Sequence, residues 1–356
     1  MRTLIRPTGF VDSPFGHDGK VARLAGGLNW FGAAELLSIE ADRRVQSELV
    51  PVQELEDRLD DDLADQWVRI TGERPPLQLG QRTIRLDQPQ VMGIVNVTPD
   101  SFSDGGLYMD GAAAAVAGMR MAEQGAAIVD VGGESTRPGA KPVWEGDEIE
   151  RVAPVIRQLA TGGAAVSVDT RKADVMTAAL AAGAHMVNDV SALTYDPRSA
   201  ATVAEAGVPV ILMHHRGSPE TMQDNPRYGD VVVEVYQWLE ERIAAAEAAG
   251  IDRSAILVDI GFGFGKSVAH NLELMNNLAL FHSLGCPLVV GASRKRTIGA
   301  LSNEAPADQR LGGSLALALK AAEQGAQLIR VHDVFETVQA LRVWRGLRDQ
   351  ALTPRA

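Results

Sequence analysis

The chain has 356 residues, whereas one compact domain usually has about 100–200 and a (β/α) barrel about 250. Hydrophobic residues make up 46% and charged residues 22%, which excludes a largely disordered chain. The formal net charge is −12, so the protein as a whole repels nucleic acid and acidic membrane surfaces, and we expect neither as a partner. Roughly a hundred residues remain beyond one large domain and need their own explanation.

The first 88 residues lack the repeating pattern that follows them. Trp30, Trp67 and several leucines predict an ordered N-terminal extension of unknown role. The acidic stretch at 54–65 is either a docking surface or the solvated face of a helix, and like charges at helical spacing favour the solvated face. We also expect a small hairpin at 80–90 that closes the N-terminal end of a barrel.

From about residue 90 onward, short β-branched runs alternate with alanine-rich stretches of helical period. The pattern predicts eight strands, at 91–97, 127–131, 165–169, 185–189, 209–213, 255–259, 287–291 and 327–331. Helices are predicted at 111–124, 146–159, 172–182, 231–249, 271–280, 312–323 and 334–347. Eight strands with intervening helices over about 260 residues predict an α/β fold, a closed (β/α)₈ TIM barrel at 89–356.

The compartment follows from the cysteine count and the N-terminus. The single cysteine, Cys286, cannot form an internal disulfide, which fits a reducing environment. Pro7 and Gly9 interrupt the start of the chain before an apolar signal region, and no uncharged apolar run approaches the length of a membrane span. We therefore expect a cytoplasmic protein with no membrane segment.

In such a barrel the functional residues lie at the C-terminal ends of the strands. Asp169 and Asp259 end apolar strands, so they form the floor of a pocket that suits a ring carrying an amino group beside a ring N–H. Asn188 can offer that ring a donor and an acceptor. The basic residues at other strand ends predict a cationic region for phosphate, formed by Arg137, Lys295, Arg330 and His332. The substrate predicted by these side chains is a polar heterocycle with an anionic tail.

The sequence disfavours nucleotide triphosphates and zinc as ligands. The stretch at 259–267 resembles a phosphate loop, but Ile260 stands where a Walker A sequence needs glycine. Its glycines more plausibly let the backbone approach a ligand, with Phe262 or Phe264 offering an aromatic face. The 7 histidines show no HExxH spacing, whereas Mg²⁺ could bind through Asn96 and substrate phosphate oxygens.

Two long segments are similar to the signatures of the dihydropteroate synthase family. They read MGIVNVTPDSFSDGG at 92–106 and IVDVGGESTRPG at 128–139. The similarity continues through shorter motifs, which are DTR at 169–171, VND at 187–189, LMHHRG at 212–217, FGFGK at 262–266, GASRK at 291–295 and RVHD at 330–333. The resemblance covers roughly 90–345 and implies a transferase of folate biosynthesis. Such an enzyme condenses 6-hydroxymethyl-7,8-dihydropterin diphosphate with 4-aminobenzoate, giving 7,8-dihydropteroate and pyrophosphate.

The resemblance also implies roles for single residues. The pterin would be held by Asp169, Asn188 and Asp259, with Lys295 against the ring and Met213 nearby. The diphosphate and its Mg²⁺ would be held by Asn96, Arg137, Arg330 and His332, with Asn96 as the metal ligand. The aminobenzoate side would be shaped by Thr136, Pro138, Phe264 and Ser293. A loop with Phe102 and Asp104 would close over the substrates, and the catalytic set would be Asp169, Asp104 and Lys295. A homodimer is the family habit and the base-rate expectation.

One residue departs from the family pattern, and two other functions stay open. Ile260 stands where the family usually has proline after the pterin-binding aspartate, which frees the backbone there. A pterin-dependent methyltransferase would have no diphosphate for Arg137, Arg330 and His332 to hold. A catalytically silent pterin-binding paralogue should have lost Asp104 or Arg137, and both are present. The residues therefore favour the synthase.

Overall fold

The structure is a computed structural model that describes residues 1–98, 107–135, 142–217, 222 and 225–353. It begins with an antiparallel sheet of four strands, which are β1 (Arg2–Val11), β2 (Ala22–Arg23), β3 (Trp30–Glu40) and β4 (Arg43–Pro51). Strand β3 pairs with each of the other three. Two helices follow, α1 (Val52–Leu55) and α2 (Asp61–Thr71), and then a hairpin of β5 (Leu77–Leu79) and β6 (Arg82–Ile84). The division of the chain after residue 88 stays a prediction.

The acidic stretch is the exposed side of the two short helices. Every acidic residue between 54 and 65 is exposed, whereas Leu55, Leu63 and Ile70 are buried on the other side. Asp60 caps α2, because its side chain accepts a hydrogen bond from the backbone N–H of Leu63 at 2.9 Å. The solvent exposure of this acidic helix face is therefore confirmed.

Eight parallel strands close into a barrel within the described residues. They are β7 (Gln90–Asn96), β8 (Ile128–Gly132), β9 (Val166–Asp169), β10 (Met186–Asp189), β11 (Val210–Met213), β12 (Ile256–Asp259), β13 (Leu288–Val290) and β14 (Leu328–Val331). Each strand pairs with the next in the chain, and β14 pairs back with β7. The predicted (β/α)₈ TIM barrel is confirmed. No predicted strand boundary differs from the observed one by more than one residue.

Helices coat the barrel largely where the sequence predicts them. They are α3 (Leu107–Glu123), α4 (Glu145–Thr161), α5 (Ala173–Ala181), α6 (Ser199–Ala206), α7 (Val231–Ala248), α8 (Val268–Asn276), α9 (Arg296–Leu301), α10 (Leu311–Glu323) and α11 (Val334–Ala351). The predicted helix at 271–280 is wrong in its bounds. Ser267 and His270 form a capping box that starts α8 earlier, and the chain continues after Asn277 as a 3-10 helix, Leu278–Leu284. The pattern also missed the short α6 and α9.

The two longest described helices are α7 and α11, which span 18 residues each. Both belong to the coat of the barrel, and Arg342, Arg345 and Arg348 interrupt the apolar residues of α11. Among the helices that the structure describes, none is long and apolar enough to cross a membrane.

The hairpin of β5 and β6 closes the N-terminal end of the barrel. Its apolar side chains form one buried cluster with a ring of side chains from the lower part of the barrel. The hairpin side contributes Leu77, Leu79 and Ile84, followed by Leu86, and the barrel side contributes Met92, Ile128, Ala165, Met186, Ile211, Leu257, Val289 and Leu328. A hairpin plug is thus confirmed, but the predicted bounds of 80–90 are wrong, because the paired strands are Leu77–Leu79 and Arg82–Ile84.

The N-terminal sheet packs against the outside of the barrel. It has a small core of its own around Ile5 and Phe31, whereas Leu4, Leu37 and Ile39 join the main cluster that fills the space between barrel and helices. Charged contacts reinforce this packing: Arg2 donates twice to Glu240 of α7 at 2.6 Å, and Arg44 donates to Asp230 at 2.6 Å. Because buried apolar contacts continue from the sheet into the barrel, the extension and the barrel share one packed interior.

Arg348 of α11 joins the extension to the last barrel helix. The residue is 7% exposed, and its guanidinium donates to the carbonyl oxygen of Val11 at 3.1 Å and to Asn29 Oδ1 at 3.0 Å. Asn29 is buried too, and its Nδ2 donates to the carbonyl oxygen of Ala322 at 2.7 Å. Removing the guanidinium would leave buried acceptors without a donor.

We therefore expect Arg348→Ala to lower the free energy of unfolding by about 2–3 kcal/mol, since hydrogen bonds from a charged donor to buried acceptors are lost. Arg345→Ala is the matched control, because Arg345 lies one turn earlier with its side chain 49% exposed and pairs with Asp349. The control should stay within about 0.5 kcal/mol. Urea unfolding of both variants measures the difference, and equal losses would contradict the proposed role of Arg348.

Candidate active site

Side-chain alternation brings polar groups together inside the barrel. Successive side chains of a strand point to opposite faces, so residues two positions beyond the apolar ring point inward as well. For the eight strands those positions are occupied by Ile94, Asp130, Ser167, Asn188, Met213, Asp259, Gly291 and Arg330. Asp130 is 0% exposed, and Asn188, Met213 and Asp259 are each 4–5% exposed. A layer of mostly polar, desolvated side chains therefore lies directly above the apolar floor.

Arg330 joins two carboxylates in this layer. Its Nε donates to Asp130 Oδ2 at 2.6 Å, and its Nη2 donates to Asp169 Oδ2 at 2.5 Å. Asp130 Oδ2 also accepts from Asn188 Nδ2 at 3.0 Å. The structure thus brings Asp169, Arg330 and Asn188 into one hydrogen-bonded chain, with Asp130 between the last two. No role was predicted for Asp130 from the sequence, although its place two residues after Ile128 in the IVDVGGESTRPG segment puts it on the same face of β8.

Burial decides the protonation of these groups. Desolvation raises the pKa of Asp169 to about 7; the Arg330 guanidinium opposes this shift, and the nearby Asp130 carboxylate adds to it. The pKa of Asp259 is also raised by burial. Burial disfavours the charge on Arg330, but the Asp130 and Asp169 carboxylates outweigh it and raise the pKa of the guanidinium, which stays charged. The site therefore holds one permanent cation beside a carboxyl group that titrates near neutrality.

A tight turn orients Asp259 at the end of β12. The carboxylate Oδ1 accepts a hydrogen bond from the backbone N–H of Gly261 at 2.7 Å. Gly261 has φ +65°, and a Cβ there would lie 1.7 Å from the carbonyl oxygen of His214, so the position requires glycine. Ile260, which stands where the family has proline, is 1% exposed and packs into the main core cluster. The departure from the family pattern thus adds a buried apolar side chain beneath the turn.

Lys266 holds the loop that follows this turn by hydrogen bonds. Its Nζ contacts the carbonyl oxygens of Gly261 at 2.9 Å and Phe264 at 3.0 Å, and His214 Nδ1 at 2.8 Å. Three acceptors match the three protons of an ammonium group, although burial lowers the pKa of Lys266 to about 7. Burial, aided by Lys266, holds the pKa of His214 well below its usual range, so the imidazole is neutral and accepts at Nδ1. Sequence reasoning quoted Lys266 within FGFGK and gave it no role.

One wall of the site consists of side chains from the loops after β12, β13 and β14. Lys295 Nζ lies 4.0 Å from the centroid of the Phe264 ring, a cation–π contact. Ser293 Oγ lies 3.1 Å from His332 Nδ1, and the backbone N–H of His332 donates to Ser293 Oγ at 3.2 Å. Burial, with help from the cations Arg330, Arg294 and Lys295, lowers the pKa of His332 to about 3. The expectation of a cationic His332 is therefore corrected, since the imidazole is a neutral hydrogen-bonding group.

A second buried polar cluster lies at the base of the β8–α4 connection. Lys172 Nζ donates to Glu134 Oε1 at 3.1 Å, to Glu148 Oε2 at 2.6 Å and to the carbonyl oxygen of Val143 at 2.6 Å. Glu134 Oε1 also accepts from the backbone N–H of Val143 at 2.8 Å. Glu134, which lies within the GGESTRPG motif at 132–139, and Val143, which follows the motif, are thereby held together. Spacing in the sequence could not reveal this contact, because its partners come from β8, α4 and the end of β9.

Several predicted residues remain to be located. Asn96 ends β7 on the same face as Met92 and is half-buried. The predicted residues Phe102, Asp104, Thr136, Arg137 and Pro138 lie outside the described residues. Within the part of the chain that the structure describes, no group of three or more His, Cys, Asp or Glu side chains could hold a metal ion. A cation held by protein side chains alone is therefore not supported there.

Comparisons with known proteins agree with this geometry. A family model described as pterin binding enzyme matches residues 92–332, which is more than half of the chain. The dihydropteroate synthase of Escherichia coli strain K12 is 50% identical over 262 residues, which are 73% of this chain and 92% of that protein.

Solved structures agree as well. The dihydropteroate synthase of Xanthomonas albilineans, determined with 4-aminobenzoic acid, has a TM-score of 0.74 at 51% identity and matches 79% of this chain and 100% of its own. A complex of the Xanthomonas albilineans enzyme with 7,8-dihydropteroate has a TM-score of 0.71 at 48% identity, over 78% of this chain and 100% of its own. The chain therefore belongs to the pterin-binding enzyme family and, within that family, to the dihydropteroate synthases, which are transferases.

Proposed function

We propose that the chain condenses 6-hydroxymethyl-7,8-dihydropterin diphosphate with 4-aminobenzoate to form 7,8-dihydropteroate and pyrophosphate. The observation that carries this proposal is the buried chain of Asp169, Arg330, Asp130 and Asn188. It combines acceptors for a nitrogen-rich ring with a permanent cation for an anionic group. The relatives that share the barrel carry the same activity in their names, and one was determined with 4-aminobenzoic acid and one with 7,8-dihydropteroate.

The pterin lies against the polar layer. A carboxylate accepts two hydrogen bonds side by side, which matches an amino group beside a ring N–H, and Asp169 and Asp259 are the buried carboxylates there. Asn188 contributes its amide, and Met213 lies beside Asp259 in the strand register and supplies an apolar contact. Lys295 lies against the ring from the side of Phe264.

The reaction breaks the bond between the pterin methylene carbon and the diphosphate oxygen and forms a bond from that carbon to the aminobenzoate nitrogen. The nitrogen attacks as a neutral amine and then loses one proton, while the electron pair of the broken bond leaves with pyrophosphate. Arg330, Arg137 and the neutral His332 bind the leaving diphosphate, and Arg330 still has its Nη1 available beyond its two carboxylate contacts. Asp169 or Asp104 stabilises the positive charge that develops on the carbon.

The second substrate lies on the side of the aromatic wall. Phe264 offers a ring face to the aminobenzoate, and Ser293 offers a hydroxyl that is already held by His332. Thr136 and Pro138 complete this side, on the loop whose two ends Lys172 and Glu134 hold together.

Mg²⁺ fits this site as a partner of the diphosphate. Asn96 is a half-buried oxygen ligand at the mouth of the barrel, and no cluster of three ligating side chains occurs among the described residues. That donor set matches a hard cation that keeps waters and binds through one side chain plus substrate phosphates. When bound, Mg²⁺ would neutralise charge on the leaving diphosphate.

The proposal also includes the oligomeric state and the cellular compartment of the protein. A cytoplasmic location rests on the lone Cys286, which is buried and reduced. A homodimer is supported by the commonness of two-fold assemblies and by exposed apolar residues at Phe335, Val343 and Leu347, one helical face of α11.

We therefore expect analytical ultracentrifugation of the full chain to give a particle of twice the 38.0 kDa chain mass. Dilution over two orders of magnitude provides the control, because a specific dimer dissociates in a concentration-dependent way. A particle of single-chain mass at all concentrations would contradict the proposed dimer and leave the catalytic proposal unaffected.

The activity is tested by pyrophosphate release from the purified chain with dihydropterin diphosphate, 4-aminobenzoate and Mg²⁺. We expect release that requires all three, and a chelator should abolish it because the diphosphate loses its counter-charge. Omitting 4-aminobenzoate controls for simple hydrolysis. Release that does not depend on 4-aminobenzoate would contradict a synthase, and full activity with chelator would contradict the Mg²⁺ proposal.

Asp169→Asn should lower kcat/KM by about 10²–10³, since the variant loses a buried charge that binds the ring and stabilises the reacting carbon. In the unchanged chain, kcat/KM should fall as the pH drops below about 7, where the raised pKa of Asp169 lets it take up a proton. The kcat/KM of Asp169→Asn should not show this fall at low pH, which is the acidic limb of the pH profile. Asp174→Asn is the control, because the Asp174 side chain is 44% exposed and pairs with Arg198 away from the barrel interior. Turnover of Asp169→Asn close to that of the control would exclude the assigned role.

A further inference from the structure

Asp130 occupies the centre of the site without a role in the reaction described above. We propose that Asp130 is a positioning residue for the pterin, which orients the Asn188 amide so that its oxygen faces the ring and shares the Arg330 guanidinium with Asp169. This inference rests on the proposed function and adds a specificity determinant to it. Asp130 touches neither reacting atom, so it acts through its two neighbours.

The orientation of Asn188 follows from hydrogen-bond chemistry. A carboxylate can only accept, so the amide must turn its Nδ2 toward Asp130 Oδ2, and the two atoms lie 3.0 Å apart. The amide oxygen then faces away from Asp130. Without a partner of fixed polarity, an amide can exchange its donor and acceptor ends at little cost. Asp130 therefore makes Asn188 an acceptor toward the ligand, which selects a ring that donates at this point.

The same carboxylate fixes the guanidinium. Arg330 Nε donates to Asp130 Oδ2 at 2.6 Å, while Nη2 donates to Asp169. With Nε and Nη2 held on different strands, the plane of the guanidinium cannot rotate. The contacts to Asp130 on β8 and to Asp169 on β9 together fix the direction of the third nitrogen, Nη1.

Stability alone does not account for Asp130. Its second oxygen, Oδ1, is buried with no hydrogen-bond partner among the described residues, and so is Oγ of Ser167, its neighbour in the β8–β9 register. An unpaired buried acceptor usually costs about 1–3 kcal/mol. A chain selected only for stability would favour an apolar side chain at this fully buried position, as at Ile128 two residues earlier. The unpaired oxygens indicate that the polar layer serves a ligand or an ordered water.

Asp130 also acts on Asp169 through charge. The charged groups that act on the Asp169 carboxyl are Arg330, Asp130, Glu148 and Asp189, from β14, β8, α4 and β10. Asp130 is a like charge, so it raises the pKa of Asp169, whereas Arg330 lowers it. Removing the charge of Asp130 takes away the like charge and leaves Arg330 paired with Asp169 alone. Both changes lower the pKa of Asp169.

The test is the isosteric variant Asp130→Asn in the full chain. We expect the KM for dihydropterin diphosphate to rise by about tenfold or more, because an amide at 130 no longer dictates the orientation of Asn188. The KM for 4-aminobenzoate should change by no more than about twofold. The acidic limb of kcat/KM should move to lower pH, a shift that a purely structural role would not produce.

Two controls separate positioning from folding. Glu148→Gln removes a carboxylate that is also 0% exposed but contacts Thr170 and Lys172, so it should lower stability, and also the pKa of Asp169, without the selective rise in the pterin KM. In an Asn188→Ala background, Asp130→Asn should raise the pterin KM by less than it does in the unchanged chain, because one of the two residues through which it acts is gone. Equal rises in both KM values, or an unmoved pH limb, would overturn the proposal.

A second variant tests the proposal if Asp130→Asn fails to fold. Asn188→Asp places a carboxyl group against Asp130, and the two can stay close only if they share a proton. The ratio of the variant's affinity for dihydropterin diphosphate to that of the unchanged chain, measured by titration calorimetry without 4-aminobenzoate, should then rise as the pH falls. A ratio that does not change with pH would overturn the proposal. Absence of pyrophosphate release by the unchanged chain would instead count against the proposed function.

Discussion

The paired contact of Arg330 with Asp130 and Asp169 is the interaction on which the site depends. One guanidinium from β14 holds carboxylates from β8 and β9, so three strands of the barrel meet at a single group. A buried guanidinium would be costly alone, and so would two carboxylates side by side. Together they leave a charged, ordered layer in which Asn188 has one orientation and the remaining guanidinium nitrogen has one direction.

Such a layer is tolerated because the rest of the barrel is closed and apolar. Directly beneath it lies the apolar ring that the β5–β6 hairpin covers, so apolar side chains separate the polar groups from the N-terminal end of the barrel. Low polarity around the layer raises the pKa values of Asp169 and Asp259 and lowers those of Lys266 and His332. Burial thus decides which groups carry charge near neutral pH, and it makes each remaining charge act more strongly on a bound substrate.

The N-terminal extension also restrains the barrel, from its outer side. Its sheet shares the main core cluster through Leu4, Leu37 and Ile39, and Arg348 ties it to the last helix of the barrel. The extension contacts α7, α8, α10 and α11, and of these α7 packs against β12 and α10 against β14, the strands that carry Asp259 and Arg330. Mechanical support of those strand ends is a physical consequence of this packing.

The sequence by itself determined the barrel, because eight apolar runs at regular spacing can bury their side chains in few other ways. The predicted ends of those runs already identified Asp169, Asn188, Asp259 and Arg330 as candidate site residues. The sequence also predicted the hairpin plug and the exposed acidic face. The sequence could not determine the charge of His332, the fastening of the 261–266 loop by Lys266 or the central place of Asp130. Those depend on distances between residues far apart in the chain and on how completely water is excluded, and only the closed tertiary structure decides both.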